Sequence, residues 1–189
     1  PFWLFLNRKS KVVQAIKHRL GVLKVNNLRA PEGIHYNRNH TWAHLRKSGA
    51  AEIGIDDWLQ RIVGKIDFGF LKSEGDEIKK GEPLFKIQNN GKSLIIPSPI
   101  SGKILQTNSS IGEEPQTLAK DPYNQGWIYE IEPANWKADT NSFIVGEEVR
   151  SWFKNELERF KDFVAKSVSK NSPEVSMVVL QEGGELRDN

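Results

Sequence analysis

Short apolar runs separated by turn residues fill the middle of the chain. Each run is four to six residues long and is bounded by Gly, Pro, Asn or Ser, a pattern typical of β-strands. A short helix through residue 63, capped by Asp56 or Asp57, is expected after the second run. Many short strands of this kind predict a mainly β domain, a sandwich or flattened barrel. The predicted strands are 41–46, 50–55, 66–71, 84–88, 93–96, 103–107 and 127–132, and the first two are expected to form a hairpin around Lys47-Ser48-Gly49.

The sharpest local signal is Asn90-Gly91, which lies between the runs 84–88 and 93–96. An Asn-Gly pair between apolar runs favours a two-residue type I′ hairpin turn, because both residues tolerate a positive φ. Such a turn would leave Asn89 and Lys92 as the flanking pair on the two strands. We therefore expect a hairpin tip here, with a lysine beside it.

Both ends of the chain show helical periodicity instead. Apolar residues recur at helical spacing in 10–23, which is a basic amphipathic segment, and again in 146–167. Turn residues in 26–33 predict a linker after the first helix, and 175–180 is typical of a strand. We expect a basic N-terminal arm and amphipathic helix in 1–32, a β domain in 33–137, and a C-terminal amphipathic helix and short strand in 138–189.

Five motifs in the central region follow one another in a specific order and spacing. They are His40-Thr41-Trp42, Gly54-Ile55-Asp56-Asp57, the Gly75-Asp76 to Gly81-Glu82 turn, Ser98-Pro99-Ile100-Ser101-Gly102 and Asp121-Pro122-Tyr123-Asn124-Gln125-Gly126-Trp127. On these motifs, the stretch from His35 to Trp136 resembles the H protein of the glycine cleavage system. The resemblance implies an H-protein-like barrel-sandwich hybrid of two antiparallel sheets, here with N-terminal and C-terminal α-helical extensions.

The resemblance also implies a lipoyl site at the hairpin tip. In that family a tip lysine carries lipoate in amide linkage, and the arm shuttles an aminomethyl group among the decarboxylase, the aminomethyltransferase and the dihydrolipoyl dehydrogenase. Counting from Gly81-Glu82 or from Ser98-Pro99, the position of that lysine falls on Gly91. The carboxylate that precedes the lysine by three residues is replaced by Gln88.

Two functions of different classes follow from the displaced lysine. In the first, the module has lost lipoylation, carries no cofactor, and acts as a non-catalytic docking or structural subunit of a larger complex. In the second, it is a divergent lipoyl carrier with lipoate on Lys92. A shift of one residue along a strand moves a side chain to the other face, which favours the first function.

Composition indicates one main domain with extensions. The chain has 189 residues, 38% of them hydrophobic, and six Trp and nine Phe supply aromatic bulk for a core. It has no cysteine, which excludes disulfides, thiolate metal sites and cysteine-based catalysis. Residues 1–48 hold ten Lys or Arg and one acid, Glu32, a net charge of +9. Because the whole chain carries +3, the remainder carries −6.

An apolar strip with three aromatic side chains leads directly into a basic cluster at the N-terminus. That order is typical of the cytoplasmic end of a membrane helix, although six residues cannot span a bilayer, which needs about twenty. A membrane helix that ends near Leu6 is expected if residues precede Pro1. A strip packed on the protein itself or on a partner is the equal alternative. The aromatic residues are Phe2, Trp3 and Phe5, and the basic ones are Arg8, Lys9 and Lys11.

The predicted C-terminal helix carries a wide apolar stripe that includes four aromatic residues, which are Trp152, Phe153, Phe160 and Phe163. Such a stripe must be buried, either against the β domain of the same chain or in a groove or against a helix of a partner. These four and the six N-terminal residues are the predicted interaction residues. We expect a cytoplasmic protein, at the cytoplasmic face of a membrane if the N-terminal strip contacts lipid. Its expected partners are proteins of a larger complex and not nucleic acid.

Catalytic and metal-binding chemistry find little support in the sequence. His40 and His44 are four residues apart, which on a strand separates them by about 13 Å at roughly 3.3 Å per residue, too far to share one metal ion. The acidic pairs at 56–57 and 113–114 are better explained as a helix cap and a solvated loop. We therefore expect no catalytic residue, no metal ligand and no enzymatic activity.

Overall fold

The computed structural model describes residues 25–64, 66–89 and 92–169. The chain divides into two compact units. One is Arg29–Val149, and the described residues 25–28 and 150–169 belong to the other. The strands are β1 His35–Tyr36, β2 Thr41–Leu45, β3 Ala51–Ile55, β4 Asp67–Phe70, β5 Glu77–Ile78, β6 Pro83–Asn89, β7 Lys92–Pro97, β8 Gly102–Thr107 and β9 Tyr129–Pro133. The helices are α1 Asp57–Val63, α2 Ser110–Glu113, α3 Gln116–Lys120, α4 Trp136–Thr140 and α5 Glu148–Ser169, and a 3₁₀ turn covers Val25–Asn27.

Two antiparallel sheets make up the unit Arg29–Val149. The larger sheet has the strand order β1-β2-β3-β9-β8-β5, and the smaller has the order β4-β6-β7. The prediction of a mainly β fold with two antiparallel sheets is thereby confirmed. The connection between β2 and β3 is the predicted hairpin, with Gly49 at a φ of 90° and Arg46 N donating to Ala50 O at 2.8 Å.

Tyr129 on β9 joins the two sheets. Its ring is fully buried, and it lies 5.5 Å from the ring of Phe70 and 6.3 Å from that of Phe85, both on the smaller sheet. Its hydroxyl donates to the Leu84 carbonyl oxygen at 2.9 Å, so this buried polar group is satisfied. The core of the sandwich therefore forms around aromatic side chains that reach from one sheet to the other.

Trp42 on β2 packs against the motif that begins at Gly54, so two of the sequence motifs are in contact. It lies opposite Gly54 on β3, and a Cβ atom at Gly54 would come within 2.5 Å of the indole ring. Only glycine fits under the ring. The indole Nε1 donates to the Ile55 carbonyl oxygen at 3.1 Å, so the fully buried Trp42 is held at both ends. The spacing between these motifs is thus set by cross-strand packing.

The chain returns to the larger sheet after α4. Tyr36 on β1 and Ile144 exchange two backbone hydrogen bonds of 2.9 and 2.8 Å. Ile144 lies beyond Trp136, the last residue of the stretch on which the sequence resemblance was based. Helix α5 confirms the predicted C-terminal helix, with bounds two residues later than expected. The predicted N-terminal helix over 10–23 and the strand over 175–180 lie outside the described residues.

Candidate functional site

The β6–β7 hairpin is the place where the resemblance puts a modified lysine. The two strands pair antiparallel, with Gln88 opposite Ser93 and Asn89 opposite Lys92. The prediction that Asn89 and Lys92 flank a two-residue connection is therefore confirmed. The turn type at Asn90-Gly91 lies outside the described residues.

This register fixes the place of the lysine backbone. Lys92 is the first residue of β7 and takes part in the strand ladder, whereas residue 91 belongs to the connection. Strand β6 begins directly after Glu82, and β7 ends directly before Ser98, so both landmarks used for counting adjoin the hairpin. The connection therefore holds a glycine where a family lysine is expected.

Strand β7 lies at an edge of the smaller sheet. Within the described ranges it pairs with β6 alone, and its apolar residues Leu94 and Ile95 are 49% and 55% exposed. An edge strand with exposed apolar side chains favours association with another chain. Sequence reasoning missed these two residues because the run 93–96 is typical of a buried strand. No local signal separates such a run from a buried one, because the exposure follows from the edge position of β7 in the sheet.

A polar corner lies where β2 begins and α1 starts. His40 has a φ of 63°, in the left-handed region that residues other than glycine rarely adopt. Its Nδ1 lies 2.8 Å from Asp56 Oδ2, and its ring stacks on Trp58 with the centroids 4.0 Å apart. Asp56 is fully buried and caps α1 by accepting from Leu59 N at 2.8 Å. Burial raises the pKa of Asp56, and the contact with His40 opposes that shift.

At this corner the predicted strand position of His40 is wrong and the predicted helix cap is confirmed. His40 precedes β2 and does not share a strand with His44, because its left-handed backbone turns the chain before Thr41. The expected helix cap at Asp56 is confirmed. Among the residues that the structure describes, no group of three or more His, Cys, Asp or Glu side chains is placed to hold a metal ion.

The neighbouring carboxylate, Asp57, binds two arginines. Its Oδ1 accepts from Arg29 Nη2 at 2.7 Å, and its Oδ2 accepts from Arg61 Nε at 2.9 Å and from Arg29 N at 3.0 Å. The Tyr123 hydroxyl donates to Arg29 O at 2.9 Å, and it accepts from Asp57 N at 3.1 Å. The network ties the segment that enters the sandwich to α1. Sequence reasoning missed this role because Arg29 is 28 residues away and no local pattern joins it to Asp57.

The predicted interaction residues on α5 differ in exposure. Trp152 and Phe153 are buried, with their rings stacked at 4.9 Å. Phe160 is half-buried, and Phe163 is 66% exposed. Of these four, Phe163 is therefore the most exposed.

The six predicted interaction residues near the N-terminus lie outside the described residues. They are Phe2, Trp3, Phe5, Arg8, Lys9 and Lys11. In the part of the chain that the structure describes, no helix has both the length and the apolar character needed to cross a membrane.

Comparisons with the sequences of known proteins bear on the family of this chain. The glycine cleavage H-protein family model matches residues 34–156. The chain is 36% identical to the glycine cleavage system H protein of Anaeromyxobacter sp. (strain K) over 107 residues, which are 57% of this chain and 83% of that protein. It is 28% identical to the probable glycine cleavage system H protein of Pyrococcus abyssi over 134 residues, which are 71% of this chain and 99% of that protein.

A solved structure supports the fold. The crystal structure of a glycine cleavage system H protein from Mycobacterium marinum matches with a TM-score of 0.56 at 23% identity, over 63% of this chain and 94% of that one. The family match starts just before β1 and continues into α5, beyond Trp136. It covers well over half of the chain, so this chain belongs to the glycine cleavage H-protein family.

Proposed function

We propose that this protein is an H-protein module that has lost lipoylation and acts as a non-catalytic docking or structural subunit of a larger complex. The register of the β6–β7 hairpin carries the proposal. Counted from Glu82 or from Ser98, the position of the family lysine falls on Gly91, which has no side chain to acylate, and the pairing of Asn89 with Lys92 is consistent with this count. A lipoyl ligase that reads a lysine presented at the tip meets glycine there, and the nearest lysine begins the paired strand.

The residue that precedes this position by three supports the same conclusion. Family members have a carboxylate there, whereas this chain has the exposed and neutral Gln88, opposite Ser93. Loss of a charge next to the acceptor changes the surface that a modifying enzyme meets. Two elements of the expected lipoylation motif are therefore altered together.

The docking role rests on apolar surface outside the core. Leu94 and Ile95 are exposed beside the hairpin connection, and Phe163 is exposed on α5. The first 48 residues carry a net charge of +9, next to an apolar N-terminal strip. Basic and aromatic residues in that order suit the cytoplasmic face of a membrane or of a membrane complex, where we place the protein.

A lipoyl carrier is the second candidate function. It is favoured by the H-protein names of the relatives and by a lysine directly beside the hairpin connection. In this case lipoate would be attached to Lys92, and the protein would serve an enzyme complex as a divergent lipoyl carrier.

Intact mass separates the two functions. Protein produced in a host with an active lipoyl ligase is expected to show the unmodified mass, as is a Lys92→Ala control. Gly91→Lys combined with Gln88→Glu is expected to gain the mass of one lipoyl group, which shows that the host ligase was competent. Lipoate on Lys92 of the wild-type protein would overturn the proposal and establish the carrier.

A truncation tests the docking role. Deletion of residues 1–24 is expected to leave a folded sandwich that no longer co-sediments with membranes or with its complex. The paired change Leu94→Lys and Ile95→Lys is expected to weaken the same association without unfolding the protein, because both side chains are already half exposed. Full-length protein that purifies alone as a monomer and does not bind anionic vesicles would contradict the docking role.

A further inference from the structure

Strand β7 is the long sheet edge that the described part of the chain leaves uncovered. The other sheet edges there are covered or short, because β1 also pairs with Ile144, β4 lies against α2, and β5 has only two residues. Strand β7 has six residues and, within the described ranges, pairs with β6 alone. An uncovered edge of this length is a template for pairing with another strand.

The backbone groups that β7 presents to solvent follow from one hydrogen bond. Ser98 N donates to Glu82 O at 2.8 Å, so the backbone of Ser98 faces the β6 side. Backbone groups of successive residues on a strand point to opposite sides. The odd-numbered residues of β7, which are Ser93, Ile95 and Pro97, therefore point away from β6. Because proline has no N–H, the outward donors of this edge are those of Ser93 and Ile95.

We propose that β7 pairs antiparallel with β7 of a second copy of this chain, with Ile95 opposite Ile95 of the second copy. In this register the two Ile95 residues exchange N–H to carbonyl hydrogen bonds. Each Ser93 N–H donates to the Pro97 carbonyl oxygen of the other copy. Every outward N–H of both strands is thereby satisfied, and the missing N–H of Pro97 costs nothing.

Apolar side chains select this register. Paired residues share a face of the sheet, so two apolar rows cross the smaller sheet on its core side. They are Phe68-Ile87-Leu94 and Phe70-Phe85-Ile96. The proposed register places Leu94 opposite Ile96 of the second copy, so both rows continue across the interface. Moving one strand by two residues places Lys92 opposite Ile96 and ends the apolar row there.

Charge favours a second copy as the occupant of this edge. Residues 93–97 include no charged side chain, so two copies of the edge bring no like charges opposite each other. Lys86 lies opposite Ile95, but its Cε is 2.7 Å from where a Cβ of Gly69 would be, so the lysine leans toward β4. The two Lys86 residues are three strand spacings apart, about 14 Å, which exceeds the Debye length of about 8 Å at physiological salt.

Sedimentation velocity of the full-length protein tests the pairing. One strand pair buries less than the roughly 1,200 Å² of a stable interface, so we expect a monomer–dimer equilibrium with a Kd of about 0.1 mM. Ile95→Lys is expected to weaken it at least about tenfold, because it sets two charges opposite each other. Leu71→Lys, at another exposed leucine outside β7, is the control with unchanged Kd. A wild-type monomer at about 1 mM, or equal weakening in both variants, would overturn the proposal.

Single cysteines test the register, since the chain has no cysteine of its own. Ile95→Cys is expected to form a disulfide between copies under mild oxidation, because paired Cα atoms lie about 5.5 Å apart. Ser93→Cys is the control on the same edge, where the two cysteines would be about 13 Å apart along the strands and should stay reduced. Cross-linking of Ser93→Cys in preference to Ile95→Cys would show that the register is wrong. Both experiments use pure protein without membranes or a ligase, so their outcome is independent of lipoylation and of the docking role.

Discussion

Replacing Asp57 with Asn removes one negative charge from a buried group that binds two arginines. Asp57 is 1% exposed, whereas the side chains of Arg29 and Arg61 are 40% and 26% exposed. Breaking a fully buried pair costs about 3–5 kcal/mol, since it leaves an uncompensated charge. Both arginines keep contact with water here, so the cost is smaller. We expect Asp57→Asn to lower the free energy of unfolding by about 2 kcal/mol, the range of one or two hydrogen bonds to a charged group.

Urea unfolding at neutral pH, followed by tryptophan fluorescence, measures this change. A shift of the urea midpoint at constant m value reports stability, because m follows the surface exposed on unfolding. Asp67→Asn is the matched control. It makes the same chemical change at an exposed position on β4 and is expected to stay within about 0.5 kcal/mol of wild type.

A second substitution tests the reasoning about charge. In the Asp57→Asn background, Arg61→Met should recover part of the lost stability, because it removes a guanidinium that has lost its bond to the Asp57 carboxylate. An Asp57→Asn protein that unfolds within about 0.5 kcal/mol of wild type would refute the claim that this carboxylate ties Arg29 to α1 and stabilises Arg61 within it.

Two further predictions concern the sandwich itself. Gly102→Ala should destabilise the protein by about 2–4 kcal/mol in thermal unfolding, because a Cβ atom there would lie 2.1 Å from the Glu132 carbonyl oxygen. Gly112→Ala, whose Cβ would meet nothing within 4 Å, should leave stability unchanged or raise it by up to about 1 kcal/mol, and equal losses in the two variants would refute the packing argument. Burial lowers the pKa of His35 below 6.5, so the stability present above pH 6.5 should fall as the pH drops through the lowered pKa. His35→Phe should flatten this dependence of Tm on pH while keeping the contact with Trp136, and an unchanged slope would show that His35 does not cause it.

Elements with strong local signals could be predicted from the sequence. The β2–β3 hairpin, helix α1 with its Asp56 cap, and the β6–β7 pairing all arise from turn residues and apolar runs that are close together in the chain. The register at Asn89 and Lys92 followed from the conformational preference of Asn-Gly alone. Such features depend on a few neighbouring residues, so one sequence is enough to place them.

Features that depend on distant parts of the chain could not be predicted. Strands β1 and β5 are two residues long, too short for any periodicity, and form because the rest of the sheet offers them partners. The return of Ile144 to β1 and the arginine cluster at Asp57 have no local signal either. The exposure of Leu94 and Ile95 is a consequence of the edge position of β7, and strand order is a property of the whole fold.

The residues that define the family and the residue that carries its chemistry have different physical roles. Trp42 packs over Gly54, Asp56 caps α1, and Gly102 lies against the backbone of β9, so these motif positions hold the sandwich together. None of these contacts involves the hairpin connection. An Asn-Gly pair there favours the hairpin by itself, so replacing an acceptor lysine by Gly91 carries no penalty for folding. Membership of the family and loss of lipoylation are therefore compatible, and a measured mass can overturn the second without changing the first.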